Sequence, residues 1–288
     1  MDGPTQEQID RYQRDGFLVV EEYMGREELE RVRERFHACF DHEWPTGLRP
    51  DEVNYTPGVS PPDVARQMCN VWKADQVLAA TTLSERNGRW GAQLARARGM
   101  RLLQDNMIWK PPGSKALLAH QDAAYETFVV PQNMTTCWIA LDDTHADTGT
   151  IYYARGSNHW PRSEPGGQFH APDDWTGYLR EVVPAEYADA VEWVPIEVPA
   201  GGCAFHDGWC WHGSPPNERM DRERRSIISH MVTTDTRWHE TNRHSIYSRY
   251  MRPGELEMDE AFYPIMSRDD GYRTPYIDRD FAPVAGVA

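Results

Sequence analysis

The pattern of apolar and polar positions changes character once along the chain. Up to about residue 98 it reads as largely helical. Thr5-Gln-Glu-Gln8 forms a capping box, in which the hydroxyl and the glutamine side chain satisfy each other's free backbone N–H groups. Gly16 supplies the stop of that helix. Phe17 to Val20 is an apolar, β-branched run and predicts a short strand. Residues 26–40 set Leu29, Val32 and Phe36 on one face amid charges, which is the mark of a surface helix with one buried stripe. Prolines at 45, 50, 57, 61 and 62 predict loop over 44–62. Further helical segments are expected around 73–81 and 84–97.

Beyond Gly99 the texture is that of short strands separated by turn residues. The expected strands are 100–110, 116–121, 135–142, 149–154, 194–199, 203–207 and 224–233. Helices first and many short strands afterwards predict a mainly β fold with flanking α, a sandwich or barrel. Residues 155–192 carry little strand pattern but hold Trp160, Trp175 and Tyr178 among prolines and glycines. They are expected to be an insertion, either a lid over a site or a surface loop. The tail from 245 onward is expected to pack over the body or to support a dimer. A single domain spanning 1–288 is therefore expected, with a helical N-terminal region over 1–98, a β core over 99–235 and a C-terminal extension over 236–288.

Composition narrows the function. A chain of this length buries a large core without covalent staples. The 30 Lys+Arg against 45 Asp+Glu give a net charge of −15. With no basic run to meet phosphates, nucleic acid and anionic membranes are poor partners. Cys39, Cys69, Cys137, Cys203 and Cys210 are widely spaced with no CxxC pair, so neither a disulfide framework nor a structural zinc site is expected. The polar start, without an apolar signal core, and the lack of any run of 18 apolar residues predict a reduced, cytoplasmic protein. A small-molecule partner and a monomeric or homodimeric state are expected.

The candidate chemistry sits in two short segments. In His120-Gln-Asp122, a strand would turn both outer side chains to one face, where they can share a cation. Trp211-His212-Gly-Ser214 offers a third ligand. Two histidines and one carboxylate form the facial triad of non-haem iron(II) oxygenases, which leaves adjacent coordination positions open. A His-x-Asp pair alone arises readily by chance in a chain with 11 histidines. The setting adds weight, because a chelating 2-oxo acid also needs a cation for its far carboxylate. Arg224 and Arg225, which open a strongly β run, are the candidates, since a guanidinium matches a carboxylate. A two-strand hairpin would bring that run beside His212. His206 and His230 lie in β runs and read as hydrogen-bonded core residues. Tyr125, Trp209 and Trp211 are either pocket-lining or core.

These segments resemble the phytanoyl-CoA dioxygenase family of iron(II)/2-oxoglutarate oxygenases. The likeness runs through Asp15-Gly-Phe-Leu-Val-Val20, Lys110-Pro-Pro-Gly113, His120-Gln-Asp122, Trp138-Ile-Ala-Leu-Asp-Asp143 and Tyr153-Ala-Arg-Gly-Ser-Asn-His159. It continues in Phe205-His206, His212-Gly-Ser-Pro-Pro-Asn217 and Arg224-Arg-Ser-Ile-Ile-Ser-His230. The resemblance implies a double-stranded β-helix, or jelly roll, with N-terminal helices. It implies iron(II) on His120, Asp122 and His212, with 2-oxoglutarate and O2 as cosubstrates. Arg224, assisted by Ser214, matches the anchor of the 2-oxoglutarate C5 carboxylate, with Arg225 as the alternative in register. Trp138 matches a family tryptophan, though it also reads as core, and Gln104 matches a polar residue facing cosubstrate or substrate. The expected reaction is oxidation of a C–H bond, hydroxylation or oxidative cyclisation, with release of succinate and CO2. Because Asp122 retains the carboxylate ligand, halogenation is disfavoured. The expected substrate is a secondary metabolite such as a polyketide, a terpenoid or a sugar-containing compound. A non-catalytic cupin-like module and a zinc hydrolase are the rival classes.

Overall fold

Strand by strand, the alternation of side chains decides which residues reach the interior. In the computed structural model, which describes residues 3–281, each expected strand is present, although 149–154 shrinks to Tyr152–Ala154 and 194–199 to Trp193–Pro195. All pairings are antiparallel. The larger sheet runs in the order Phe17–Val20, Cys203–Asp207, Met134–Ala140, Arg224–Thr233, Gly99–Lys110, Arg66–Cys69, Glu52–Val53, and Ile265–Arg268 also pairs with Gly99–Lys110. The smaller sheet runs Leu117–His120, His212–Ser214, Tyr152–Ala154, Trp193–Pro195. A two-stranded ribbon joins Val129–Val130 to Arg237–Trp238. Two sheets face to face, joined by crossing connections, make the jelly roll.

The larger sheet is buried on both faces, which explains why its central strands read as unbroken apolar runs. On its outer face Met107, Cys137, Ile139, Ile227 and Met231 pack under the helices Arg26–Phe40, Gln76–Thr82 and Glu85–Leu94. Those helices supply Leu29, Val32, Phe36, Leu78 and Trp90. On the inner face Trp138, Ala140, Ala204 and Ile228 meet Ile151, Tyr153 and Ile196 of the smaller sheet. Each such fully buried large side chain contributes roughly 1.5–3 kcal/mol. The Thr5–Gln8 capping box forms as expected, with Gly16 closing the helix Gln6–Asp15.

Three expectations need correction. The first 98 residues are not only helical: Glu52–Val53 and Arg66–Cys69 extend the larger sheet from within or just after the proline-rich stretch. Short strands of mixed polarity at a sheet end lack the alternation that would reveal them. Second, the run from Arg224 does not form a hairpin beside His212. His212–Ser214 belongs to the smaller sheet and Arg224–Thr233 to the larger, so residues 215–223 cross between layers. Third, the strand ends at His120, and Asp122 opens the one-turn helix Asp122–Tyr125.

The segment 155–192 contains two short helices, Gly177–Val182 and Ala185–Ala188. It is tied to the edge of the smaller sheet through Leu118 N to Phe169 O (2.9 Å), Ala119 N to Trp175 O (2.7 Å) and Ala171 N to Ala116 O (3.0 Å). From the C-terminal extension, Trp238, Tyr247, Met258 and Tyr263 pack with Leu103, Phe128 and Met134 over one end of the body.

Candidate active site

His120 and His212 are direct cross-strand partners in the smaller sheet. Such pairs bring side chains on one face within contact, and the two rings lie 4.3 Å apart between centroids. Nδ1 of His120 faces Leu118 O at 2.8 Å and Nδ1 of His212 faces Cys210 O at 3.0 Å. Donation of N–H to these carbonyls leaves each Nε2 lone pair free for a cation. Asp122 Oδ1 lies 3.2 Å from His120 Nε2 and 3.3 Å from His212 Nε2. One ligand atom from each of the three residues falls within 4.8 Å of the others. Two neutral imidazoles and a carboxylate suit iron(II). Gly213, between His212 and Ser214, is required small, because a Cβ there would lie 2.8 Å from Ala119 Cα and 2.9 Å from Trp175.

The second oxygen of Asp122 is held by the larger sheet. His206 Nε2 donates to Oδ2 at 2.9 Å, the Thr136 hydroxyl donates at 2.9 Å, and His230 Nδ1 stands 3.2 Å away. Strand register explains the convergence: His206 pairs with Thr136 and Thr136 with His230, so the three form one inward row across adjacent strands. His206 is therefore no passive core residue. Burial, with His212, pushes it down to about 3, so the ring is neutral, and its Nδ1 accepts from the Tyr153 hydroxyl at 2.8 Å. Burial works against the Asp122 charge, but His212 and His230 hold the carboxyl well below the usual range. Oriented this way, Asp122 turns Oδ1 toward the two histidines.

Beside the triad lies a cationic pocket. Arg224 points inward and Arg225 outward, as neighbours on a strand must. Arg225 is bound to Asp142 through Nη2–Oδ1 (2.6 Å) and Nε–Oδ2 (3.1 Å), on the helix side of the sheet. Arg224 is 2 % exposed and donates to Gly149 O, Ser214 Oγ and Ser226 Oγ, all uncharged. Burial lowers it to about 10, so it stays a cation at neutral pH. Lys110 Nζ, also fully buried, donates to Ser214 Oγ at 2.8 Å and to Pro215 O. Burial, and then Arg224, pushes Lys110 well below its ordinary value. Gly149 (φ +65°) carries the shared carbonyl, and a Cβ on it would meet Lys110 Nζ at 2.8 Å.

The cavity over the triad is lined by the apolar Ile108, Leu117, Trp138, Ile151, Phe169 and Ile228, and by the polar Gln67, Asn106, Thr136, His206, Ser214, Arg224 and His230. Thus His120, Asp122, His212, Ser214, Arg224 and Trp138 come together. Gln104 shares their face of the sheet but lies outside the cavity lining, with its Oε1 taken by the Tyr247 hydroxyl. Tyr125, Trp209 and Trp211 also lie outside the lining: Tyr125 donates to Gly166 O, Trp209 faces Arg162, and Trp211 is buried with Ala119 and Leu179. His159 donates to Gln13 O and ties the turn to the first helix. Sequence reasoning missed Thr136, Asn106, Phe169 and the involvement of His206 and His230 with Asp122. Inward alternation could have picked out all but Phe169, had the register between strands been known.

Two histidines and a carboxylate on a jelly roll, beside a buried arginine, form the arrangement of a metal-dependent oxygenase. Residues 12–226 match the phytanoyl-CoA dioxygenase (PhyH) family, and the chain belongs to it, as an iron(II)/2-oxoglutarate-dependent oxygenase. Among relatives, the methylphosphonate hydroxylase of Gimesia maris is 24 % identical over 242 residues, covering 78 % of this chain and 80 % of that one. Among solved structures, the epimerase SnoN in complex with Fe3+, alpha ketoglutarate and nogalamycin RO is 19 % identical (TM-score 0.71; 91 % of this chain, 98 % of that one). EctD from S. alaskensis with 2-oxoglutarate and 5-hydroxyectoine is 16 % identical (TM-score 0.67; 90 % and 88 %). At these identities the structures establish the shared fold. Among the described residues, no helix is long and apolar enough to cross a membrane.

Proposed function

We propose that the protein oxidises a C–H bond of a small organic molecule, by hydroxylation first and oxidative cyclisation second. In this reading His120, Asp122 and His212 hold the iron, and Arg224 with Ser214 holds the C5 carboxylate of 2-oxoglutarate. The observation that carries it is the buried Arg224 guanidinium, whose hydrogen bonds all go to uncharged oxygens, beside a three-ligand cluster. A buried charge without a counter-charge is costly, and a bound carboxylate removes that cost. A zinc hydrolase would have no use for this cation. Bound iron(II) supplies activation of O2 coupled to oxidative decarboxylation of 2-oxoglutarate, giving succinate and CO2.

The chain's own contribution is positioning and exclusion of water. Asp122 Oδ1 lies close to both Nε2 atoms, so the three residues would hold the iron between them, and a triad of this kind leaves coordination positions for cosubstrate and O2. Trp138, Ile108, Leu117, Ile151 and Ile228 line the cavity with hydrocarbon. Phe169, brought from the 155–192 segment, stands edge-on to His120 at 4.9 Å in the cavity lining, which supports a lid role for that segment. The nogalamycin compound held by SnoN and the 5-hydroxyectoine held by EctD support a substrate in secondary metabolism, and the five buried, free cysteines support a reducing, cytoplasmic setting. The test is release of succinate from 2-oxoglutarate by the iron(II)-loaded protein, together with calorimetric 2-oxoglutarate binding. Absence of both defeats the reading.

A further inference from the structure

The cavity has a second polar point, opposite Ile228 and four residues along the strand from Arg224. Asn106, on the inner face of Gly99–Lys110, lines the cavity and is 5 % exposed. Its Nδ2 donates to His230 Nε2 at 3.0 Å. That contact makes His230 Nε2 the acceptor and leaves the proton on Nδ1, toward Thr136 Oγ1 at 2.9 Å. The amide is thereby locked at one end. Its other end, Oδ1, is buried and has no hydrogen-bond partner. A buried acceptor left unpaired is costly, so a donor that reaches this point is favoured. Gln67, on the neighbouring strand and opposite Ile108, lines the same part of the cavity.

Charge is as informative. Of the residues lining the cavity, the permanently charged ones are Asp122, committed to the metal, and Arg224, committed to the cosubstrate. A doubly charged phosphonate or a coenzyme-A phosphate seated on Gln67, Asn106 and Phe169 would be stripped of water with no cationic side chain among them to replace it, at a cost.

We propose that the substrate is uncharged where it meets Asn106 and presents a hydroxyl or amide N–H to Asn106 Oδ1, so that Asn106 anchors the substrate in the cavity it shares with the triad. Neutral polyhydroxylated or amide-bearing compounds fit this chemistry, and methylphosphonate does not. The inference rests on the oxygenase reading and names the substrate class of the same site.

The test is calorimetric binding to anaerobic protein loaded with iron(II) and 2-oxoglutarate, alongside substrate-stimulated succinate release. The probes are cyclic polyols, glycosides and lactams, each paired with a phosphonate or carboxylate of similar size, with methylphosphonate among the anions. Neutral donors are expected to bind at least tenfold more tightly than their anionic counterparts. Asn106→Leu is expected to weaken the tightest neutral probe by at least tenfold while 2-oxoglutarate binding, read in the same instrument, stays within about threefold. Asn106→Asp, which keeps an oxygen at Oδ1, guards against a folding artefact and is expected to retain more neutral-probe affinity than the leucine variant. A panel in which no neutral donor binds better than its anion overturns the proposal. So does a leucine variant that folds, binds 2-oxoglutarate and binds the neutral probe as before. Failure of unaltered protein to bind 2-oxoglutarate at all would instead strike at the oxygenase reading.

Discussion

Exchange of Arg224 and of Arg225 for alanine separates two adjacent guanidinium groups by the face they occupy. Arg224 stands in the cavity wall with Ser214, whereas Arg225 is clamped to Asp142 at 2.6 Å on the outer face. Removal of one partner from a buried ion pair costs about 3–5 kcal/mol. At about 1.4 kcal/mol per tenfold, Arg224→Ala should raise the 2-oxoglutarate dissociation constant roughly a hundredfold or more. Lys110 Nζ, 2.8 Å from Ser214 Oγ, remains as a hydrogen-bond donor beside the site. Arg225→Ala removes an ion pair remote from the cosubstrate. It should change that constant by less than about threefold while lowering the melting temperature by a few degrees. Calorimetry of 2-oxoglutarate binding to the anaerobic iron(II) protein reads the first effect, and thermal melting reads the second and checks that both variants fold. An equal or larger binding loss in Arg225→Ala would transfer the anchor to Arg225. No loss in either would mean that this pocket holds something other than 2-oxoglutarate.

Three further outcomes are expected. Thr136→Val keeps the side-chain volume but removes one donor from Asp122 Oδ2 (2.9 Å), and should weaken iron(II) binding roughly tenfold in a metal titration, since partners that orient a ligand are typically worth about 10–100-fold; unchanged affinity would make the His206–Thr136–His230 row merely structural. Stripping metal with a chelator should lower the melting temperature, and iron(II) at about 100 times its dissociation constant should restore about 2.7 kcal/mol; Asp122→Ala should show no such metal-dependent shift, and a shift of full size would remove Asp122 from the ligand set. Burial, and then Asp122, pushes Glu126 up to about 8 from 4.5. A carboxyl raised on folding favours the protonated state, so its contribution worsens as pH rises from about 4.5 and is fully adverse above about 8. Glu126→Gln should therefore melt higher than the parent at about pH 8.5 and nearly level with it at about pH 5; a pH-independent difference would show that Glu126 does not titrate in this window.

Much of the fold is written in local pattern. The strand Met134–Ala140 is legible because Cys137 and Ile139 face the helices while Trp138 and Ala140 face the other sheet, which leaves an apolar run no loop would carry. The strand Arg66–Cys69 is not legible. Its sequence, Arg-Gln-Met-Cys, turns Gln67 into a polar cavity and stacks Arg66 over Tyr55 and Trp109, so its hydrophobic signal is dispersed into tertiary contacts. The course of residues 215–223 is equally hidden. A hairpin and a crossover of the same length have the same turn chemistry, and the choice lies in which sheet each flanking strand joins.

The site divides along the same line between local and cross-strand information. His120, Asp122 and His212 stand out because short motifs place them, and the choice between Arg224 and Arg225 follows from alternation once one strand face is known to be interior. The residues that orient Asp122 have no motif. Thr136 and His230 sit 94 positions apart in sequence. With His206 they become one row only through the pairings His206 with Thr136 and Thr136 with His230. A one-residue slip in either pairing would turn a side chain from the cavity to the helices. It would leave Asp122 Oδ2 with fewer donors. Register, which single-sequence patterns do not encode, is therefore the physical quantity that converts a recognisable triad into an oriented one. It also places the Asn106 amide beside His230, with Nδ2 toward the ring and Oδ1 left without a partner.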